Sequence, residues 1–205
     1  MNNLLQTSTI ISTPSLIVVD NFYKDPNKVR DFALQHLFQE NPKEYKGVRT
    51  KERHLSDSLK TIFESLIGSK ISTDSWHTHQ YNGCFQATSA ENNQVYHHDD
   101  NHWAGIIYLT PNAPIESGTT ILKSKSTGIV DSENVDQATM RQCFETGFYD
   151  STAFDVLDSV GNVFNRLVLF KSTNLHAAGP YFGKNLSDGR LIHLFFFDLE
   201  TSNEV

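Results

Sequence analysis

Residues 95–121, VYHHDDNHWAGIIYLTPNAPIESGTTI, carry the strongest fold signal in this chain. Aromatic and β-branched residues are frequent at 95–98, 103–109 and 119–122, which is typical of short strands. Turn residues, Pro-Asn and Glu-Ser-Gly, lie between the last two runs. The stretch therefore predicts consecutive strands of a mainly β fold.

The same stretch contains a doubled His-x-Asp pair. Either His97 with Asp99 or His98 with Asp100 would share one face of a strand, because strand side chains alternate between faces. Another histidine, His176, directly follows a later apolar strand and loop. Two histidines and one carboxylate leave three metal positions open, the arrangement that selects Fe(II) for oxygen chemistry. The spacing alone also fits a solvated loop, since exposed polar residues are common.

The other histidines favour ordinary structural roles. His193 alternates with apolar residues, which predicts a buried, hydrogen-bonded side chain. His102 is expected in the loop after the His-x-Asp motif. Surface or packing roles are expected for the remainder: His36, His54, His77 and His79.

Outward from this stretch, helices come first and strands follow. Asp25-Pro26 predicts a helix start, with helical spacing to about Phe38, and an apolar face predicts a second helix at about 56–68. The same rules predict strands over 15–19, 80–88, 166–170 and 190–197, and a helix over 132–146. This order favours a β-barrel or jelly roll with helices packed against one sheet, an architecture that encloses a cavity.

Composition narrows the class of protein. The 205 residues are most simply one domain, and a net charge of −7 with a pI near 5.7 argues against a broad nucleic-acid surface. Two cysteines, Cys84 and Cys143, provide neither a disulfide scaffold nor a Cys-x-x-Cys zinc motif. The N-terminus has no signal-peptide pattern, and no apolar run is long enough for a membrane span. We expect a soluble, cytoplasmic protein.

Residues 95–121 resemble the iron-binding core of Fe(II)/2-oxoglutarate-dependent oxygenases, in the prolyl-4-hydroxylase-like branch. In that branch two apolar residues precede His-x-Asp, and a strand of the form aromatic-Ala-Gly-apolar-apolar-Tyr-Leu follows, before a Gly-Thr turn. Three further segments resemble the same branch: SLIVVDNFYKDPNKVRDFAL, NRLVLFKSTNLHAAGPYFG and GRLIHLFFFD. Their order along the chain is more specific than any one of them.

The resemblance implies one oxygenase domain over residues 1–205. Residues 1–75 would form a helical support region. Residues 76–205 would form a double-stranded β-helix, of the jelly-roll or cupin-like type, with an insertion at about 125–158 that matches the branch least well. The helices are expected to pack against one sheet of this core.

The resemblance also implies roles for individual residues. His97, Asp99 and His176 would hold Fe(II), because Val95 and Tyr96 precede His97 as the motif requires; His98 with Asp100 is the second choice. Arg190 would bind the distal carboxylate of 2-oxoglutarate through its planar fork, although four residues later than is usual, or would be an ordinary salt-bridge arginine.

Further cosubstrate contacts are less well defined by the pattern. Tyr108 could donate its hydroxyl to the same carboxylate or be a core tyrosine. Tyr81 or Gln86 could supply the contact that the branch often has on the strand before the motif.

The implied activity is hydroxylation of an amino-acid, peptide or protein side chain, with O₂ and 2-oxoglutarate consumed and succinate and CO₂ released. Ascorbate is a candidate reductant. Arg49, Lys51 and Arg53, and the acidic segment 131–158, are candidate substrate-facing elements or solvated loops. Two other classes stay open: a cupin-like metal enzyme without 2-oxoglutarate, and a non-catalytic jelly-roll binding module.

Overall fold

The computed structural model describes residues 14–200. The prediction that the N-terminus has no signal peptide concerns a segment that lies largely outside these residues. Within residues 14–200 there are ten strands: β1 (Leu16–Val19), β2 (Phe38–Glu40), β3 (Val48–Thr50), β4 (Cys84–Thr88), β5 (Trp103–Tyr108), β6 (Thr119–Ser124), β7 (Phe154–Val160), β8 (Leu167–Lys171), β9 (His176–Ala178) and β10 (Arg190–Phe197). The α-helices are α1 (Pro26–Leu34), α2 (Asp57–Ile67), α3 (Thr73–Thr78) and α4 (Gln137–Cys143). None of the helices in this part of the chain combines the length and apolarity that a bilayer crossing requires.

The strands form two antiparallel sheets. The large sheet has the order β1-β8-β5-β10-β4-β3-β2, and the small sheet has the order β7-β6-β9. The fold is therefore mainly β with few helices, as the sequence predicts at this level.

Strand β10 separates the two halves of the core because its side chains alternate. Leu191, Phe195 and Phe197 face outward into a cluster that includes Phe63 of α2 and Trp76 of α3. On the opposite face, Ile192 and Leu194 meet apolar residues of β5, β6 and β8. Helices α1, α2 and α3 thus cover the outer face of the large sheet and leave its inner face to the space between the sheets.

Local capping explains where the first two helices begin. The Asp25 carboxylate accepts a hydrogen bond from the Lys28 backbone N–H, and the Ser56 hydroxyl accepts one from the Leu59 N–H. The first helix ends at Leu34 rather than near Phe38, because Phe38–Glu40 joins the large sheet as β2.

Two predicted elements near the metal motif differ in the structure. The strand predicted at 95–98 is absent except for one bridge, between His97 and His176. The helix predicted over 132–146 is only Gln137–Cys143, capped by Asp136. Strand β7, which lies largely within the segment expected to be an insertion, pairs with β6 and is integral to the small sheet.

The buried, hydrogen-bonded role predicted for His193 is what the structure shows. Its Nε2–H donates to the Gly83 carbonyl at 3.1 Å, so its Nδ1 accepts from the Tyr23 hydroxyl at 2.7 Å. Burial lowers the pKa of His193 to about 3, although the hydrogen bond to the Gly83 carbonyl opposes this shift. The side chain is therefore neutral in the folded protein.

A neutral buried histidine makes the free energy of unfolding depend on pH. The unfolded chain takes up a proton on this residue near pH 6.5 and the folded chain does not, so acid favours unfolding. We expect His193 to lower the free energy of unfolding by up to about 1.4 kcal/mol per pH unit between pH 6 and pH 4. Urea titrations of wild type and His193→Gln at several pH values measure this difference, and equal pH slopes would contradict it.

Candidate metal centre and cavity

Backbone pairing brings two distant histidines together. His97 donates its N–H to the His176 carbonyl at 3.0 Å, and His176 donates to the His97 carbonyl at 2.7 Å. Residues that exchange both hydrogen bonds across an antiparallel pair project their side chains to the same face. The two imidazole rings are consequently 4.3 Å apart, centroid to centroid.

Asp99 completes a group of three donors. Its carboxylate oxygens lie 3.7 Å from His97 Nε2 and 3.5 Å from His176 Nε2. One donor atom from each residue lies within 4.8 Å of the others, and this is the single such group of histidine, cysteine or carboxylate side chains found within residues 14–200. The Asp99 N–H donates to the Ser172 carbonyl at 2.8 Å, which ties the motif to the loop before β9.

Hydrogen bonds orient both imidazoles for metal binding. Nδ1 of His97 lies 3.0 Å from the Val95 carbonyl, and Nδ1 of His176 lies 2.8 Å from the Asn174 carbonyl. A carbonyl only accepts, so each Nδ1 carries a proton and each ring directs its Nε2 towards Asp99. Burial, with the nearby His97 as a second cause, lowers the pKa of His176 to about 4. This set of two imidazoles and one carboxylate fits Fe(II).

The alternative pair, His98 with Asp100, does not join this group of donors. The His98 ring lies 6.3 Å from the Phe144 ring, centroid to centroid, and Asp100 is exposed at the rim of the cavity. Of the two frames that the sequence leaves open, the structure assembles His97, Asp99 and His176.

The three donors line a cavity of about 600 Å³. Apolar side chains of the inner core form part of its wall, including Ile106, Phe170, Ile192 and Leu194. A cavity of this size accommodates small ligands. The side chain of His97 is 38% exposed, that of Asp99 22% and that of His176 only 7%.

Arg190 opens β10 and contributes its guanidinium to the same cavity, although the residue is only 3% exposed. Its Nε donates to the Ser117 carbonyl at 2.9 Å, and Nη2 donates to the Gly118 carbonyl at 3.3 Å. A Cβ at Gly118 would overlap the Val160 carbonyl, so only glycine lets these chains approach. No described carboxylate forms a salt bridge with Arg190, contrary to the ordinary salt-bridge alternative.

Tyr108 lies behind this arginine. Its ring centroid is 5.3 Å from the Arg190 guanidinium carbon, and its hydroxyl is 2.8 Å from the Thr119 hydroxyl. Tyr108 is completely buried, whereas Thr119 lines the cavity. The structure thus places a hydroxyl beside Arg190, and Thr119 is the member of the pair that lines the cavity.

Tyr81 and Gln86, the candidates for a further cosubstrate contact, lie beside Arg49 rather than Arg190. Tyr81 donates its hydroxyl to the Glu44 carboxylate, and its ring centroid is 4.6 Å from the Arg49 guanidinium carbon. Gln86 accepts a hydrogen bond from Arg49 Nε at 2.9 Å and donates to the Lys46 carbonyl. Both residues line the cavity, with Arg49 between them.

Sequence reasoning missed several cavity residues. Thr119 and Tyr181 both lie in segments that carry the resemblance, which was the available signal. His79 was expected to have a surface or packing role, but it lines the cavity, and its Nδ1 accepts the Tyr81 N–H at 3.2 Å. His102 lies in the loop after the motif, as predicted, 3.6 Å from Asp198.

The fold resembles several solved structures. HygX from Streptomyces hygroscopicus, with nickel, 2-oxoglutarate and hygromycin B bound, has a TM-score of 0.57 at 11% identity, over 91% of this chain and 83% of HygX. A prolyl hydroxylase from Trichoplax adhaerens, in complex with a hypoxia inducible factor oxygen degradation domain peptide fragment, has a TM-score of 0.50 at 15% identity, over 90% of this chain and 84% of that one. AviO1 from Streptomyces viridochromogenes Tue57 has a TM-score of 0.50 at 10% identity, over 91% of this chain and 90% of AviO1.

The predicted resemblance is therefore confirmed at the level of the fold, which is that of Fe(II)/2-oxoglutarate-dependent dioxygenases, prolyl hydroxylases included. No curated protein matches the sequence. One family model matches almost the whole length, residues 2–196, and the chain accordingly belongs to DUF6445, a family of unknown function.

Proposed function

We propose that this protein is an Fe(II)- and 2-oxoglutarate-dependent dioxygenase that hydroxylates an amino-acid, peptide or protein side chain, with release of succinate and CO₂. The observation that carries the proposal is the convergence of His97, Asp99 and His176 in one cavity with the buried Arg190. The proposal includes a single domain whose two sheets form a double-stranded β-helix. A cytoplasmic location stays a prediction.

In this proposal His97, Asp99 and His176 hold the iron, which when bound supplies the O₂ chemistry coupled to decarboxylation of 2-oxoglutarate. Arg190 binds the distal carboxylate of 2-oxoglutarate with the guanidinium N–H groups that Ser117 and Gly118 leave free. Thr119 adds a hydroxyl, and Tyr108 supports it from behind.

The apolar wall of the cavity contributes to the proposed function by excluding water. Ile106, Phe170 and Ile192 limit the water around the metal centre, which strengthens polar contacts and suppresses side reactions. HygX with its bound 2-oxoglutarate supports the choice of cosubstrate, and the hydroxylase with its bound peptide supports the substrate class, both as fold-level analogies.

Anaerobic absorption spectroscopy tests the proposal without knowledge of the substrate. We expect a visible metal-to-ligand charge-transfer band only when Fe(II) and 2-oxoglutarate are both present, because the band reports chelation of the 2-oxoacid. A chain that binds Fe(II) without this band would favour the cupin-like enzyme. A chain that binds no Fe(II) would favour the binding module.

The same band decides between the two His-x-Asp frames. His97→Ala should eliminate it, because this side chain faces Asp99 and His176, whereas His98→Ala should retain it, because His98 faces Phe144. The two variants remove the same group from adjacent residues and are matched controls. Loss of the band in His98→Ala with retention in His97→Ala would overturn the assignment.

A further inference from the structure

Arg49 is a second arginine in the cavity wall, on β3 rather than β10. Its guanidinium carbon lies 4.3 Å from the Tyr45 ring centroid and 4.6 Å from that of Tyr81. Those two rings are nearly perpendicular to each other, at 78°, and their centroids are 5.2 Å apart. The guanidinium therefore lies in a corner formed by two tyrosines, which restricts its orientation.

The hydrogen bonding of Arg49 is incomplete. Its Nε donates to Gln86, whereas neither Nη has an acceptor among the residues that the structure describes. Gln86 is held in turn by its bond to the Lys46 carbonyl. The outer edge of the guanidinium, the edge that binds a carboxylate with two parallel hydrogen bonds, is thus left available.

The charge of Arg49 is also uncompensated. No described carboxylate forms a salt bridge with it, and burial lowers its pKa. Asp99 is the carboxylate close enough to oppose this lowering, and in the proposed function it is a ligand of the iron. A desolvated cation of this kind is stabilised by an anionic partner.

The charges of the proposed complex balance apart from Arg49. A doubly charged iron, Asp99 and Arg190 together neutralise the two negative charges of 2-oxoglutarate. At the rim, Lys43 and Lys46 offset Glu44 and Asp100. One positive charge, that of Arg49, remains for the substrate.

Sheet register separates the two arginines. Arg49 pairs with Gln86 of β4, which pairs with Ile192 of β10, two residues beyond Arg190. Both side chains face the cavity, and strand spacing places their Cα atoms about 12 Å apart. This separation suits two carboxylates on two molecules, one cosubstrate and one substrate.

We propose that Arg49, oriented by Tyr45, Tyr81 and Gln86, binds a carboxylate of the substrate, which is therefore a carboxylic acid small enough to enter the cavity. The inference rests on the proposed function and narrows its substrate class to free amino acids and related carboxylates. It assigns Arg49 to substrate recognition and leaves Arg190 to 2-oxoglutarate.

The test uses acids and their primary amides as matched probes. The full chain, saturated with Fe(II) and 2-oxoglutarate without O₂, is titrated with propionate, benzoate and the twenty L-amino acids, and with the amide of each. Binding is followed by perturbation of the charge-transfer band and by calorimetry. We expect at least one acid to bind at least tenfold more tightly than its amide, because only the acid forms charge-assisted hydrogen bonds.

Variants connect this preference to the arginine. Arg49→Gln should weaken binding of that acid about 30-fold and leave its amide unchanged, and Arg49→Lys should fall between, because it keeps the charge without the fork. Arg141→Gln removes the same charge from an exposed position on α4 and should have no effect. Thermal unfolding checks that each variant is folded.

Several results would overturn the inference. One is an absence of any acid-over-amide preference in the wild type, which needs no variant. Another is equal acid binding by Arg49→Gln, and a third is weaker 2-oxoglutarate binding in Arg49→Gln than in Arg190→Gln. A missing charge-transfer band would count against the proposed function and not against this inference. In that case calorimetry without iron still measures the acid and amide affinities, so the role of Arg49 can be tested separately.

Discussion

The substitution His176→Ala should lower the affinity for Fe(II) by more than about 100-fold. Mutation of a residue that only orients a metal ligand already lowers metal affinity or activity about 10- to 100-fold, and His176 is itself a ligand in the proposed function. His176 is buried, and its Nδ1 is held by the Asn174 carbonyl. Its Nε2 therefore has one orientation, towards Asp99. An alanine leaves only His97 and Asp99 as donors, and no other described histidine, cysteine or carboxylate completes the set.

Anaerobic titration with Fe(II), and with redox-inert Co(II), measures this change directly. His102→Ala is the matched control, since it removes an exposed histidine that lies beside Asp198 and outside the cavity lining. The ring of His176 packs 4.9 Å from Phe170, so thermal unfolding of the metal-free variant should be measured beside the titration. Tight binding by a folded His176→Ala would place the metal elsewhere.

The second large effect is expected for 2-oxoglutarate. Arg190→Gln should raise the concentration that half-saturates the charge-transfer band about 100-fold or more, since two charge-assisted hydrogen bonds are lost. Fe(II) affinity should not change, because Arg190 bonds Ser117 and Gly118 and none of the metal donors. Arg190→Lys should be intermediate, since an ammonium keeps the charge without the planar fork.

The control for this prediction is Arg166→Gln. Arg166 pairs with Asp20 at 2.7 Å, outside the cavity lining, so its loss removes an arginine without touching the candidate site. Unchanged half-saturation in a folded Arg190→Gln would exclude Arg190 as the cosubstrate arginine. Arg49 would then be the next residue to examine.

Much of the architecture could be read from local patterns. The segment GRLIHLFFFD predicts β10, and its alternation correctly places His193 on a buried face. Asp25-Pro26 predicts the start of α1 because a cap and a proline act within one helical turn. The end of α1 could not be predicted in this way, since it depends on β2 joining β3 in the sheet.

The candidate site was predictable only in part. The His-x-Asp spacing and the resemblance indicated His97, Asp99, His176 and Arg190, but left His98 with Asp100 as an alternative frame. The single bridge between His97 and His176 separates the frames in the structure. A pairing between residues so distant in sequence has no local signature.

The sequence alone indicated β1, β4, β5, β6, β8 and β10, the start of α1, and the residue types required for an iron and 2-oxoglutarate site. Strands β2, β3, β7 and β9 appeared only in the tertiary structure. Which histidine faces the metal position, and which arginines share its cavity, was decided only by the tertiary structure. Register across β3, β4 and β10 brings Arg49 into that cavity, and Tyr45 and Tyr81 restrict its orientation there. The physical reason is that side-chain alternation and capping act within a few residues, whereas sheet register depends on contacts between distant segments.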